Sequence, residues 1–405
     1  MTRYIAKRVF WGVVTLVLFV TALFFLVNIL MPGDFMTQFR LGLSAEQRAE
    51  MAAQLGLDRS LWAQYWDWMS GMATGDLGTA FVGSPVATLV TGALATSLLL
   101  FLAGILIAFP IGNLLGRVGA WKRSGPFLGI TTLIAVVAFT AFPPSLAFVL
   151  QRGAENAASH GTFLTMTQLR VGEWGRASPF AGFGGLPDGE TALPSPTDIL
   201  WEMVLAALAV LVLVLVMEYL LRRIRRRGLP GPLRAILVVG LTWAAWVLLG
   251  IGWRALDLLG VLLLPVVGVV LLFYGEIQLV TEAAMEEAID DDYVTTARAK
   301  GLEERQIRDR HAARAAILPV LSRLVVSIPY FLAGLTILEQ VFNVPGGLGN
   351  LLFGAVRNQD NAVVVGTLVV VGVFSLLARL VMDVLYAVLD PRIRYGSGKL
   401  EVGGG

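Results

Sequence analysis

The chain has 405 residues, of which 56% are hydrophobic and only 15% are charged, and its mean hydropathy is +0.74. Because soluble domains carry about a quarter charged residues, this composition indicates a chain that lies mostly in a lipid bilayer, and it excludes intrinsic disorder. The net charge of +2 is too small for a nucleic-acid-binding face, and the absence of cysteine excludes disulfides, thiolate metal sites and cysteine nucleophiles.

Charge-poor windows predict about eight transmembrane helices. The first window is long enough to cross a hydrocarbon core of about 30 Å, and no suitable cleavage site follows it, so we expect a retained helix and not a signal peptide. Pro265 lies inside the sixth window and could interrupt it, which would change the count by one. The windows are residues 9–31, 88–115, 124–151, 199–221, 235–253, 258–279, 324–338 and 363–389.

Basic residues collect on one side of the predicted spans. Arg3, Lys7 and Arg8 precede the first span, and an arginine run at 222–227 lies between the fourth and fifth. The long loops on the other side, 32–87 and 152–198, contain no lysine. By the positive-inside rule, both termini are therefore cytoplasmic. The arginine run is interpreted as a topology anchor, with a lipid-specific site as the alternative.

The first outer loop contains one helix signal. Ser44 and Gln47 have the spacing of a capping box, which predicts a short helix ending near Leu55, before Gly56.

Several catalytic chemistries lack their parts. There is no phosphate-binding loop for ATP, and the two histidines, His160 and His311, lie outside the spans and lack zinc-site spacing. The in-span charges lie near helix ends, so an ion-coupled carrier has little support. Arg379 and Asp383 are four residues apart and predict an intramembrane charge pair. No metal site is expected.

The segment from Glu276 to Pro319 is the most informative part of the chain. Acidic residues, including Asp290, Asp291 and Asp292, precede a run of helix-forming residues that ends in Gly301. This order predicts a short helix with an acidic N-terminus and a basic C-terminus, followed by a turn in which glycine adopts positive φ. A second helix should follow and be bent or ended by Pro319. The alternative is a solvated loop with ordinary helical propensity.

These residues carry a specific resemblance. Ala297-Arg298-Ala299-Lys300-Gly301-Leu302, then Arg310-His311-Ala312 and Leu318-Pro319, resemble the EAA loop of ABC-importer membrane subunits, and more narrowly that of the dipeptide, oligopeptide and nickel permeases. Further matches, such as Gly75-Asp76-Leu77-Gly78 and Asp390-Pro391-Arg392-Ile393-Arg394, occur in the same order over most of the chain.

The resemblance implies an all-α polytopic membrane protein of the type I ABC-importer kind. It implies the permease subunit of an ATP-driven, binding-protein-dependent importer of di- or oligopeptides, which is not itself an enzyme. Nickel chelates or oligosaccharides are alternative cargoes, and an ion-coupled secondary carrier is a more distant alternative.

The implied partners are a second homologous permease subunit, two cytoplasmic ATPase subunits that use ATP and Mg, an extracytoplasmic solute-binding protein and the bilayer, with no nucleic acid. The chain itself would bind no cofactor and would lie in the plasma (inner) membrane of a prokaryote. The residues implied in coupling to the ATPase are Tyr293, Thr296, Ala297, Arg298, Ala299, Lys300, Gly301, Leu302 and Arg305.

The chain departs from the family pattern in two ways. The family usually has six helices, so two are extra, and Thr295-Thr296-Ala297 stands where Glu-Ala-Ala is typical. The extra pair falls between residues 152 and 257. The predicted regions are an N-terminal helix (1–31), an outer loop (32–87), helices two and three (88–151), a Gly/Pro-rich outer loop (152–198), the inserted helix pair (199–257), the core helices (258–390) with a coupling loop (281–319), and a cytoplasmic tail (391–405).

Overall fold

A computed structural model describes residues 2–30, 44–54, 58–80, 83–122, 125–158, 196–225 and 230–389. Within these ranges the chain is helical, apart from turns and one isolated bridge between Thr79 and Pro85. A single α-helical turn, Glu304–Gln306, and a π-helical turn, Ile307–Ala312, connect α10 to α11. The helices are α1 (Thr2–Leu30), α2 (Ala45–Gln54), α3 (Leu61–Ala73), α4 (Val86–Lys122), α5 (Pro126–Thr140), α6 (Pro143–Ala158), α7 (Pro196–Arg225), α8 (Gly231–Leu248), α9 (Gly252–Ile289), α10 (Asp292–Ala299), α11 (Ala313–Val341), α12 (Leu348–Arg357) and α13 (Asn361–Leu389).

All eight predicted windows fall on helices, but these helices differ in length. Among the described residues, five helices are long and apolar enough to cross a membrane, and they belong to α1, α4, α7, α9 and α13. The fifth and seventh windows coincide with shorter apolar stretches, 233–248 in α8 and 330–341 in α11. Pro265 does not interrupt α9, which runs unbroken over 38 residues.

The third predicted window is not one straight span. It consists of α5 and α6, whose axes are bent by 118° at a short break, so the pair is either a broken span or a re-entrant loop. The break falls at Ala141 and Phe142, immediately before Pro143 and Pro144. Consecutive prolines cannot donate backbone hydrogen bonds to the preceding turn, which explains why α5 ends there and α6 starts afresh.

The central core is formed by α4, α9 and α11. Phe273 on α9 contacts Phe101 on α4 edge to face and Phe331 on α11 at a ring distance of 4.1 Å. The helices α4 and α9 approach closely because α4 presents glycine toward α9. A Cβ at Gly116 would lie 2.6 Å from the backbone oxygen of Gln278. Small residues of this kind allow membrane helices to pack backbone to backbone.

A second core joins α1 to α13 at the other end of the bundle from the α9–α10 turn. Val20, Leu23 and Val27 on α1 pack with apolar residues of α4, α12 and α13. The Thr21 hydroxyl on α1 lies 2.8 Å from the Tyr65 hydroxyl on α3, which fixes α3 against this core. Ser44 and Gln47 exchange the two hydrogen bonds of the predicted capping box at the start of α2, while Leu55 and Gly56 lie outside the described residues.

The helices α7 and α8 lie at the edge of the bundle. Their packing onto the rest of the chain is confined to one end, where Ile199 and Met203 on α7 contact Ala255 and Leu258 on α9. The Trp246 indole N–H also donates to the Met203 carbonyl oxygen at 3.2 Å. Most of the remaining apolar side chains of both helices are exposed, as expected for a lipid-facing pair.

Candidate functional site

The predicted short helix and glycine turn are both present. Helix α10 ends at Ala299, and Gly301 follows with φ = +77°. The Gly301 N–H donates to the Arg298 carbonyl at 2.9 Å and the Leu302 N–H to the Ala297 carbonyl at 3.3 Å. This pattern is a Schellman motif, which requires the left-handed conformation that glycine adopts without strain. Residues 290–312, which include this turn, are called the α10 knob.

Two details of the prediction differ from the structure, one at the start of the knob and one in α11, which follows it. Asp291 is the N-cap residue of α10, but its side chain makes no capping hydrogen bond, so the acidic residues there act through charge near the helix N-terminus. Of the two outcomes predicted at Pro319, a bend or an end, the end is wrong, because α11 continues through Pro319 to Val341.

The knob is seated on the core helices by its inner face. Val294 and Ala297 are buried in a cluster with residues from the ends of α4 and α9, the π-helical turn and the start of α11. This cluster is called the knob seat. Since apolar side chains three positions apart lie on the same side of a helix, α10 has one apolar side, and burying it fixes the helix orientation. The buried members of the seat are Ala120, Met285, Ala288, Val294, Ala297, Ile307, Ala312 and Ala316.

Arg298 ties the knob to its surroundings from outside the seat. Its guanidinium lies 5.5 Å from the centroid of the Trp121 ring, at the end of α4. Its Nε donates to a Glu304 carboxylate oxygen at 2.9 Å. Arg298, which was predicted as a contact for a partner, is therefore already engaged within the chain by Trp121 and, across the glycine turn, by Glu304.

Asp309 is the charged centre of the π-helical turn. It accepts two hydrogen bonds from Arg308, at 2.8 and 2.9 Å, and lies 3.8 Å from both Arg117 and Arg305. The Arg308 hydrogen bond, with smaller contributions from the other two arginines, holds the pKa of the Asp309 carboxyl below its usual value. The carboxylate thus links α4 to the turn before α11 in its ionised form.

The outward surface of the knob is small and chemically mixed. Tyr293 is 38% exposed, the Arg305 side chain is 84% exposed, and Thr296 donates its hydroxyl to the Asp292 carbonyl at 2.9 Å. Burial of the remainder of the ring raises the pKa of the Tyr293 phenol, with a contribution from Asp291, so it stays a neutral donor. Of the nine predicted coupling residues, Ala297 alone faces inward. The others are exposed: Tyr293, Thr296, Arg298, Ala299, Lys300, Gly301, Leu302 and Arg305.

Two open pockets of opposite charge flank the base of the knob. One is lined by Glu282, Glu286 and Asp290 and has a volume of about 760 Å³. The other, of the same volume, is lined by basic residues that include Arg310 and Arg314. The knob therefore stands between an acidic and a basic surface.

The predicted pair of Arg379 and Asp383 lies on α13. The Arg379 side chain is exposed, whereas the Asp383 side chain lies outside the described part of the chain, so the pair remains a prediction. His160 also lies outside the described residues, and His311 is exposed in the π-helical turn.

The sequence reasoning missed two buried acids in the core. Glu276, taken as the start of the loop segment, lies inside α9 and is 2% exposed. It accepts hydrogen bonds from Arg323 Nε at 3.0 Å and from the Ser327 hydroxyl at 2.5 Å. Glu339 near the end of α11 is fully buried and accepts the Gly349 backbone N–H at 2.7 Å. The available signal was that Glu276 lies inside the sixth apolar window and that Glu339 directly follows the seventh.

The long apolar helices, with the short helix α10 packed on the ends of three of them, are those of a polytopic helical membrane subunit. Residues 227–395 match the family described as binding-protein-dependent transport system inner membrane component, and residues 1–90 match its N-terminal family. The chain belongs to this family. It is a multi-pass inner membrane protein and the permease subunit of a binding-protein-dependent ABC importer, in which a separate subunit carries the ATPase.

Similar proteins span nearly the full length. An oligopeptide transport system permease protein of Bacillus subtilis is 27% identical over 98% of this chain and 100% of its own. A dipeptide transport system permease protein of Lactococcus lactis is 25% identical over 97% and 100%. A dipeptide transport system permease protein of Escherichia coli is 25% identical over 93% and 94%.

Proposed function

We propose that the α10 knob is the contact through which an ATPase subunit drives this permease. The observation that carries the proposal is the knob seat, where Val294 and Ala297 are buried against the ends of α4, α9 and α11. These three helices form the central core, so a force on the outer face of α10 acts directly on them. A loosely tethered loop could not transmit such a displacement.

The outer face supplies the contact surface in this proposal. Tyr293, Lys300 and Leu302 offer an aromatic ring, a cation and an apolar side chain that do not contribute to the seat. The flanking acidic and basic pockets give the surface a polarity that would orient a partner of complementary charge. In this arrangement both termini and the knob are cytoplasmic, as the basic residues predict.

The assembly we infer contains this chain, a second homologous permease subunit, two ATPase subunits and an extracytoplasmic solute-binding protein. ATP and Mg would be bound by the ATPase subunits. We infer that the cargo is a di- or oligopeptide, because relatives that align over nearly the whole chain are named dipeptide and oligopeptide permeases.

A cross-linking experiment tests the coupling contact. In this cysteine-free chain, Lys300→Cys places one thiol on the outer face, and Ser145→Cys on α6 serves as a matched site away from the knob. Lys300→Cys should cross-link to the ATPase in the assembled complex and Ser145→Cys should not. Equal cross-linking at both positions, or none at Lys300, would contradict the proposal.

The cargo is tested with the complete complex in proteoliposomes. ATPase stimulation and uptake are measured across peptides, oligosaccharides and nickel chelates delivered by the binding protein. Peptides alone should stimulate both activities. Stimulation by another class without peptide uptake would overturn the inferred cargo while leaving the coupling contact intact.

A further inference from the structure

Arg323 is bonded to a buried glutamate in the helix bundle, yet about half of its side chain is exposed. Arg323 lies on α11, and its side chain is 53% exposed although Glu276, its partner on α9, is almost fully buried. Only Nε contacts Glu276, at 3.0 Å. Among the described residues, the two terminal guanidinium nitrogens have no hydrogen-bond partner. Arg323 therefore presents an open fork of N–H donors away from the core.

The position of Arg323 along α11 puts it below the level of the charged helix ends. Ala316 packs in the knob seat beside Ala120, at the end of α4 where Lys122 follows. Arg323 is seven residues further along α11, which is about 10 Å at 1.5 Å per residue. The Nε bond to Glu276 holds the side chain against α9, so it is not free to extend along the helix to headgroup level.

Arg323 belongs to a row of exposed residues on one side of α11. From Arg323 to Ala333, the described exposed positions recur at intervals of three and four residues, and Gln340 follows two turns further on, which is one side of an α-helix. This row, called the α11 outer face, combines a charged residue, a phenol and an amide with apolar side chains. Its members are Arg323, Val326, Tyr330, Ala333 and Gln340. An arginine facing hydrocarbon is strongly disfavoured, whereas arginines within membrane domains line water-filled cavities. The α11 outer face thus fits the wall of an aqueous path.

We propose that Arg323 forms a carboxylate-binding station on the translocation path, which contacts the C-terminal carboxylate of a passing peptide. This inference rests on the proposed peptide cargo. The planar guanidinium fork matches a carboxylate with two parallel N–H···O bonds, a geometry that lysine cannot reproduce. Glu276 and Ser327 are positioning residues, because Glu276 fixes Nε and Ser327 donates to the same carboxylate oxygen.

The same geometry keeps the station weak enough for transport. Glu276 already compensates the charge of Arg323, so the site as a whole is neutral before the cargo arrives. A passing carboxylate then gains hydrogen bonds from the fork without meeting an uncompensated charge. Conduction requires contacts of this kind, which are favourable enough for entry and weak enough for release.

The test compares a tripeptide as its free acid with the same tripeptide as its C-terminal amide. Uptake of both is measured in proteoliposomes that contain the complete complex, at equal occupancy of the binding protein. For each variant, the ratio of acid uptake to amide uptake is divided by the same ratio for wild type. Because all variants use the same binding protein, its own preference for acid or amide cancels in this comparison. Arg323→Gln should lower this ratio about tenfold, as loss of charge-assisted hydrogen bonds predicts, and Arg323→Lys should lie between.

Two further variants distinguish a loss of carboxylate recognition from a loss of folded permease. Arg254→Gln, at an exposed arginine on α9, the helix that carries Glu276, should leave the ratio unchanged. Arg323→Gln leaves Glu276 buried without its cation, which could impair folding. The double variant Glu276→Gln/Arg323→Gln removes both charges, so we expect it to assemble normally and to show the same lowered ratio.

The outcomes discriminate between the inferences. Equal loss of acid and amide uptake in both Arg323 variants would mean that Arg323 only ties α11 to α9, and would overturn the station. Peptide uptake with an unchanged ratio in Arg323→Gln would also overturn it and leave the peptide cargo standing. A wild-type complex that moves neither peptide would overturn the cargo and the station together.

Discussion

The turn at Gly301 offers the sharpest perturbation of the coupling contact. Gly301 has φ = +77°, and no atom lies within 4 Å of the position that a Cβ would occupy. An added Cβ therefore meets no described atom beyond the two chain neighbours, so the main effect of the substitution comes from the backbone. We expect Gly301→Val to insert normally into the membrane but to weaken docking of the ATPase.

The magnitude follows from two competing terms. A residue with a side chain costs about 1–2 kcal/mol in the left-handed region, and a β-branched residue more. The turn can release this strain by giving up the Gly301 and Leu302 N–H bonds to α10, which contribute about 0.5–1.5 kcal/mol each. Because the two terms are similar in size, the C-terminal end of α10 should rearrange while the buried knob seat holds. If docking of the ATPase requires the original turn, restoring it costs 1–2 kcal/mol, which lowers the equilibrium constant for docking about 5- to 30-fold.

The assay is co-purification of the ATPase together with peptide uptake, at equal membrane levels of each variant. A graded series provides the control: Gly301→Asn should retain most activity, because asparagine tolerates positive φ, Gly301→Ala should lie between, and Gly301→Val should lose most. Gly75→Val is the matched variant elsewhere, since Gly75 has φ = +88° and open space around it. Near-normal ATPase association and uptake in Gly301→Val, or equal loss in Gly75→Val, would refute the reasoning.

Three further predictions follow from the fold and the knob. A thiol at Glu303→Cys should resist an impermeant reagent added to intact cells and react after lysis, and labelling from outside would reverse the topology. Deleting residues 199–253 should reduce the amount of assembled permease, because it uncovers Ala255 and Leu258, without changing the relative uptake of different cargoes; an altered cargo profile with normal assembly would place α7 and α8 at the path. Arg298→Ala should lower the free energy of unfolding of the purified chain by about 1 kcal/mol, because it loses its contacts with Trp121 and Glu304. Lys300→Ala should leave this free energy unchanged and weaken ATPase co-purification, and the reverse pattern would exchange the roles of the two residues.

Charge-poor windows predict where helices exist better than where they end. They locate α9 because residues 258–279 are almost free of charge, yet α9 continues to Ile289 through Glu282 and Glu286. A helix that leaves the bilayer keeps its own backbone hydrogen bonds, so the membrane boundary need not be a helix boundary. The 118° bend between α5 and α6 was not predicted, because a window of apolar residues carries no information about the direction of the chain.

The candidate site also contains features that the sequence predicts and features that depend on tertiary packing. The glycine turn was predictable, since a Schellman motif is set by local chemistry at Gly301. The inward orientation of Ala297 follows from packing on the ends of α4, α9 and α11, although Val294 and Ala297 already show apolar spacing on one side of a helix. The contact between Glu276 and Arg323 joins positions 47 residues apart and depends on how α9 and α11 pack, which composition and periodicity cannot supply.

The knob seat and the Arg323 fork are mechanically connected, because they lie on the same two helices. From Ala313 to Val341, α11 is one unbroken helix, and it carries Ala316 in the seat and Arg323 on its outer face. The two residues are about two helical turns apart on a helix that is continuous through Pro319. The α9 helix is unbroken from Met285 in the seat to Glu276. We expect a movement of the knob relative to α4 to move Glu276 through α9, and Arg323 with it through the Nε bond, so that the exposure of the fork would change. The proposed coupling would require no separate signalling route, only two helices joined by the ion pair between Arg323 and Glu276.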